Sequence, residues 1–347
     1  MNRRRISSRS AFTWVELIVV IIVLGVLLAM IPCCDIGSRE AARRACCNNN
    51  LKQIGLAIHN YATAVKVLPP GTICSTAPIQ PSNQYDVWGE AARTAPGFHG
   101  TSFLLRVLPF ILSDTADTWD LHYSVAHGPN AAIAAIDIKG FYCPTRRNAI
   151  RSGIDNQMLL NTSWTGGGTD YGGCAGRHAA FTLQTGYNLC DATMYYEPGF
   201  FPSPFKGKDD DTPQKRWGIF GRVNVSTTFK EVADGTSNTI MTGELQRITD
   251  ITPGSKDGWA VGGPATLFTT GAMMCRTGTT VTNVAKPTEG SLMNNGFWGS
   301  PGSEHANGAN FGMADGSVRF LNTTMDPTIF AELGSMADGG PAKGWDY

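Results

Sequence analysis

The sequence predicts an α+β protein in which a long N-terminal stem helix, a membrane span continued by an amphipathic half, packs on a mainly antiparallel, Gly-rich β domain. Three observations carry that expectation. An unbroken apolar stretch near the N terminus is long enough to cross a bilayer as a helix, and the segment after it repeats apolar residues at helical spacing. The remaining chain is punctuated by Gly and Pro in a way that favours strands and turns over a helical bundle.

At 347 residues and 42% hydrophobic content the chain can bury a sizeable core. Lys plus Arg number 28 and Asp plus Glu also number 28, so no net field draws a polyanion and no nucleic-acid partner is expected. With 40 Gly and 19 Pro, turns must be frequent. Nine Cys can serve as disulfides, metal ligands or buried thiols, and the odd count leaves at least one unpaired within a monomer.

Leu17 to Ile31 are fifteen consecutive apolar or Gly residues, and extension back to Phe12 gives twenty. As a helix, twenty residues reach about 30 Å, one hydrocarbon thickness. Arg3, Arg4, Arg5 and Arg9 precede the stretch without an acidic neighbour, against Arg39, Arg43 and Arg44 after it, which places the N terminus in the cytoplasm. A cleaved secretory signal should have a shorter apolar region closed by small residues, and Ala29-Met30-Ile31 does not supply them. A lipid-modified Cys33 is disfavoured by Pro32 immediately before it.

Glu16 is the anomaly in this stretch: an unpaired carboxylate at a helix centre in lipid costs roughly 2.5 to 3.5 kcal/mol, so something must compensate it. The Arg-rich leader, then Ala11, then Phe12-Thr13-Trp14-Val15-Glu16-Leu17 and an apolar helix together resemble the prepilin class. That resemblance implies cleavage between Ala11 and Phe12 by a prepilin peptidase, N-methylation of Phe12, and pairing of Glu16 with the terminal amine of a neighbouring pilin-like subunit. Ala11 replaces the usual Gly and Trp14 the usual Leu; the first is small, and the amphipathic indole suits an interface.

Beyond Pro32, which should interrupt the helix, Ser38 to Tyr61 is rich in helix formers. Cys47, Leu51, Ile54, Ile58 and Tyr61 follow one another at spacings of 4, 3, 4 and 3, which puts them on one face toward the globular domain. His59 beside that stripe receives no role. Cys47 is then either a buried thiol or a partner for a domain cysteine, with Cys143 the first candidate. Cys174 and Cys190 form the next candidate pair, while the adjacent pairs Cys33-Cys34 and Cys46-Cys47 are poorly placed to bridge internally.

In the globular region, Thr101 to Leu112 reads as a compact apolar segment and Asn130 to Asp137 as a short capped helix leading into a strand around Phe141. Thr228 and Glu231 form a capping box for a helix that Asp234-Gly235 ends, and Asn238 to Glu244 runs on as a strand. Near the C terminus, Asp315-Gly316 between apolar runs predicts a two-residue hairpin over 309–321 in which Met313 faces Val318 and Phe311 faces Phe320. His305, separated by nine residues from Asp315-Gly316 in the register His-x9-Asp-Gly, resembles the C-terminal signature of a large bacterial family that accompanies prepilin-type N termini. Cys47 to Leu56, Phe141 to Pro144, Thr169-Asp170-Tyr171 and Asp234 to Thr239 resemble the same family, which is of unknown function and sometimes described as solute-binding-like.

Chemistry is sparsely marked. Asp315 at a turn and a loop His305 are explained by turn formation, Gly166-Gly167-Gly168 lacks the Lys and Ser/Thr of a phosphate loop, and Asp209-Asp210-Asp211 lacks the alternating spacing of a calcium loop. No catalytic residue, metal or cofactor is therefore assigned, and a non-enzymatic protein is expected. The expected organisation is a cytoplasmic leader at 1–11, a transmembrane helix at 12–32, an amphipathic stem at 33–66 and a globular domain at 67–347 outside the cytoplasm, periplasmic or at the cell surface. The resemblance implies a pilin- or pseudopilin-like structural component in the cytoplasmic membrane, with prepilin peptidase and pilin-like subunits as partners. The alternative is an anchored solute- or carbohydrate-binding protein using the loops 181–207 and 259–278 with Tyr195, Tyr196 and Trp217.

Overall fold

Residues 13–29, 36–79, 84–112, 118–177, 193–197, 212–249, 255–271 and 293–339 are described by the computed structural model. Contacts along the chain divide it into two units, Met1–Ala42 and Arg43–Tyr347. The cleavage positions Ala11 and Phe12, the Asp209-Asp210-Asp211 run and Cys190 lie outside the described residues.

In the first unit, α1 (Trp14–Ala29) is a sixteen-residue apolar helix. Its start is fixed by a capping box: the Thr13 amide donates to Glu16 Oε2 at 2.7 Å, and the Glu16 amide donates to Thr13 Oγ1 at 3.4 Å. The carboxylate thus has a partner within its own chain. Side chains from Thr13 to Leu24 are all exposed, Trp14 at 77%. Among the described residues no helix is long and apolar enough to cross a membrane.

The boundary between the units falls inside α2 (Ile36–Val65). Within the second unit, Cys47, Leu51, Ile54 and Ile58 are buried and Tyr61 packs against the same core, so the stripe read from spacing is the buried face. Lys66 takes a left-handed φ of 72° and turns the chain before Pro69. Short elements follow: β1 (Thr72–Ile73), β2 (Gln84–Tyr85), α3 (Val87–Ala91), β3 (Thr101–Ser102), α4 (Phe103–Val107) and α5 (Gly128–Ala134). Asn130 does not cap α5; it lies inside the helix, and its amide donates to the carbonyls of Asp120, Tyr123 and Ser124, holding that loop. Phe141 ends a 3-10 turn, Lys139–Phe141, and is not in a strand.

The remaining elements are β4 (Tyr171–Cys174), β5 (Tyr195–Tyr196), β6 (Ile240–Glu244), β7 (Leu267–Phe268), β8 (Gly308–Met313), β9 (Val318–Asn322) and α6 (Pro327–Leu333). Five of the strands form one sheet in the order β7-β4-β6-β8-β9, with β4–β7 parallel and the other three pairings antiparallel. Alternation of side chains splits the core in two. One face carries Ile240, Phe268, Ala309, Phe311, Met313 and Leu321 against Phe330, Ala331 and Leu333 of α6, with Phe311 edge-on to Phe330 at 5.5 Å. The other joins Tyr171 and Met241 to the α2 stripe, Phe103, Phe141, Phe220 and Trp259.

The hairpin register differs from the expected one by one residue: Gly312 pairs with Val318, Phe311 with Arg319 and Asn310 with Phe320. The turn is a three-residue loop, closed by the Met313 amide donating to the Ser317 carbonyl at 2.8 Å, with Gly316 left-handed at φ 83°. Ala314 and Asp315 donate to the carbonyls of Thr239 and Thr236, so a neighbouring segment holds the longer loop. The Thr228–Glu231 capping box is formed, on a 3-10 turn at Phe229–Glu231.

Candidate functional site

Four segments distant in sequence meet at one end of the central strands of the sheet. Cys47 reaches in from α2; Cys143 follows the Phe141 turn, its amide held by Asp170 Oδ2 at 3.0 Å. Glu244 is the last residue of β6, opposite Tyr171 on one side, and its Oε2 accepts from the Asn310 amide at 2.6 Å and from Asn310 Nδ2 at 3.0 Å on the other. His305 sits in the turn before β8, its amide donating to Ser303 Oγ at 3.2 Å and its Nδ1 3.1 Å from Thr145 Oγ1.

All four side chains are buried, and their ligand-type atoms lie within 4.8 Å of one another. Cys47 Sγ is 3.0 Å from Cys143 Sγ, both as free thiols; Cys143 Sγ is 3.6 Å from His305 Nε2, which is 3.2 Å from Glu244 Oε1. The hydrogen bond from Cys47 to Cys143 divides the pair. It pushes the donor thiol above its ordinary value, with burial and the Glu244 charge adding, and draws Cys143 below, helped by His305 against the effect of burial.

Cys143 and Glu244 also line a polar cleft of about 390 Å³ whose walls include Arg146, Gln246, Arg247 and Ser303. Behind it lies a buried ion network. Arg147 Nη2 contacts Asp170 Oδ1 at 2.7 Å and Asp257 Oδ2 at 2.6 Å; Arg247 Nη2 is 3.3 Å from Asp257 Oδ1 and donates to the carbonyls of Thr169 and Ala265. Arg146 reaches Asp155 and Asp170, each at 3.4 Å. Burial alone would raise the Asp257 carboxyl, but Arg147 and Arg247 outweigh it and hold the group below the usual carboxylate range. Arg146 and Arg247 wall the cleft together with the carboxylates of Asp170, Glu244 and Glu304, and the Arg247 guanidinium gives its donors to the carbonyls of Thr169, Lys256 and Ala265.

The residues singled out from sequence are distributed unevenly. His305 joins the cluster, whereas Asp315 only shapes its turn, accepting from the Ser317 amide at 2.8 Å. The six residues of β8 stand between them, about 20 Å at strand rise, so the signature His and Asp act at opposite ends of one strand. Cys174 is buried in β4 with its thiol 3.6 Å from the Gly334 carbonyl. Tyr195 is buried, its hydroxyl donating to the Gly221 carbonyl at 3.3 Å, and so does not offer the exposed aromatic surface the binding alternative invoked. Trp217 is half-buried under Arg222. Glu244 and the arginines carry no sequence-level motif; an acid closing the apolar run Ile240-Met241-Thr242-Gly243 and the Arg146-Arg147 pair beside Cys143 are the signals that were present.

A sheet packed between α2 and α6, with a cysteine, histidine and carboxylate cluster beside a cleft lined by arginines and carboxylates, defines the globular part. The model of the family labelled SBP_bac_10 and described as Protein of unknown function (DUF1559) matches residues 38–328, and the chain belongs to that family. No curated protein and no solved structure matches it.

Proposed function

We propose that this protein is a membrane-anchored, prepilin-type component: leader removed between Ala11 and Phe12, helix held in the cytoplasmic membrane, domain presented outside the cytoplasm, and assembly through N-terminal helices of like subunits. The observation that carries it is the uncovered apolar surface of α1, where every side chain from Thr13 to Leu24 is exposed. An apolar surface of that extent in water needs a cover, and lipid or similar helices supply one. Because Thr13 already satisfies Glu16 within the chain, the assembly role of the carboxylate is separable from capping. Glu16→Ala should weaken incorporation into a fibre or secretion-type assembly, while Thr13→Ala, which removes the capping hydroxyl alone, should leave incorporation intact. Equal incorporation by both variants removes Glu16 from assembly. Mass spectrometry of the mature protein, made in a host with a prepilin peptidase, tests processing: N-methylated Phe12 supports it, an intact Met1 refutes it.

A second reading is favoured by the cleft. Gln246 lines it with Oε1 buried and accepting no hydrogen bond, and shares the lining with Arg146, Arg247, Asp170, Glu244 and Glu304. Such a mixed lining suits a small neutral solute rich in hydroxyl groups, such as a sugar, and the family label points to solute binding in general. Under this reading the protein is an anchored, non-enzymatic solute-binding protein. Thermal-shift titration of the full chain against neutral sugars and sugar acids checks it: stabilisation by a neutral sugar that Gln246→Ala abolishes supports binding in the cleft, and no shift across the panel refutes it.

A further inference from the structure

We propose that Cys47, Cys143, Glu244 and His305 form a closed, four-coordinate site for a zinc-class divalent ion that ties α2 to the sheet. The donor set is two sulfurs, one imidazole nitrogen and one carboxylate oxygen, the mixture that suits tetrahedral zinc. Zinc bonds of about 2.0–2.3 Å place tetrahedral ligands about 3.3–3.8 Å apart. Successive contacts around the cluster are 3.0, 3.6 and 3.2 Å, and no pair of ligand atoms exceeds 4.8 Å.

The charge balance points the same way. Glu244 is buried and Asn310 occupies its Oε2, while Oε1 faces the cluster without a hydrogen bond, and the His305 ring, its Nε2 3.2 Å away, offers it a positive charge only when protonated. A buried carboxylate oxygen in that position is costly without a cation or donor. Outer contacts orient the donors as metal sites require: Thr145 Oγ1 lies on His305 Nδ1, leaving Nε2 for the ion, and Asn310 fixes the carboxylate. Loading displaces the two thiol protons to solvent, and the ion's double charge offsets two of the three negative charges of the ligand set. Four protein ligands fill a tetrahedron, so the site is structural, with no open position for water. It cross-links residues 47 and 143, which are 96 apart in sequence, and residues 143 and 305, which are 162 apart.

The same two thiols could instead be oxidised to a disulfide, which would remove half the ligands, so the experiment must read both states. Full-length protein is purified in detergent without added reductant and its metal content measured by plasma mass spectrometry, while peptide mapping records whether Cys47 and Cys143 are linked. One zinc per chain with both thiols free is the expected result. Cobalt exchanged into the site should show thiolate-to-cobalt charge transfer and the d–d bands of a tetrahedral ion, a readout that needs no variant to fold. Thr145→Val, which keeps volume and fold, should weaken zinc binding about 10- to 100-fold. Substoichiometric metal and no cobalt spectrum in protein with free thiols overturns the proposal, as does a Cys47–Cys143 disulfide in the isolated protein.

Discussion

Asp257 shows how much a single buried charge can carry here. Its carboxylate faces Arg147 and Arg247, and it also accepts the amides of Thr169 and Gly258 at 2.9 and 2.8 Å. Asp257→Asn keeps the shape but leaves two buried guanidinium groups short of charge, so stability measured by guanidinium denaturation should fall by about 3–5 kcal/mol. Two further carboxylates set the acid limit. Glu90 would be raised by burial, but hydrogen bonds from Cys74, Ser75 and His99 outweigh that and hold it at about 2. Asp155 is likewise held at about 2, burial being overcome by Arg151, Arg147 and Arg146. Both values lie below those of an unfolded chain, about 4, so the stability they contribute is complete above that pH and lost as pH falls toward 2. Thermal midpoints should therefore be level between about pH 7 and 5 and drop steeply between about pH 4.5 and 2, with Asp155→Asn making the drop shallower. A midpoint that holds steady to pH 3 would contradict the assignment.

At the scale of elements, α2 and β4 illustrate two kinds of fit. The α2 stripe is legible because a helix with one buried face must repeat apolar residues every three or four positions, and Leu51→Ala should cost about 2–5 kcal/mol through the cavity it leaves. Strand β4, Tyr-Gly-Gly-Cys, has no such pattern. A Cβ on Gly173 would stand 2.4 Å from Phe220 Cδ2, whose ring stacks on Phe103 at 4.4 Å, so the glycine is there for close approach. Gly173→Ala should destabilise by about 1–3 kcal/mol, read as a lower urea midpoint with unchanged slope. The hairpin shows where local reading fails. Asp315-Gly316 announced a turn, but its length was set by Thr236 and Thr239 bonding to the loop amides, and one extra loop residue shifted every pair of β8 and β9.

For the whole molecule, the sequence by itself determined the apolar N-terminal segment, the buried face of α2, the capping box at Thr228, the existence of a C-terminal hairpin and the family resemblance of the domain. Each of these is written in neighbouring residues, because helix periodicity, caps and turns act over spans of three to ten positions. The Thr13–Glu16 box is equally local, a hydroxyl three residues before a carboxylate at a helix start. Only the tertiary structure decided that Cys143 comes to Cys47, that His305 leaves Asp315 at the far end of β8, and that Glu244 and the three arginines Arg146, Arg147 and Arg247 converge behind one cleft. The reason is physical: these side chains are brought together by closure of chain segments up to 162 residues long, driven by burial of the apolar faces around them, and no local spacing records where such closures end.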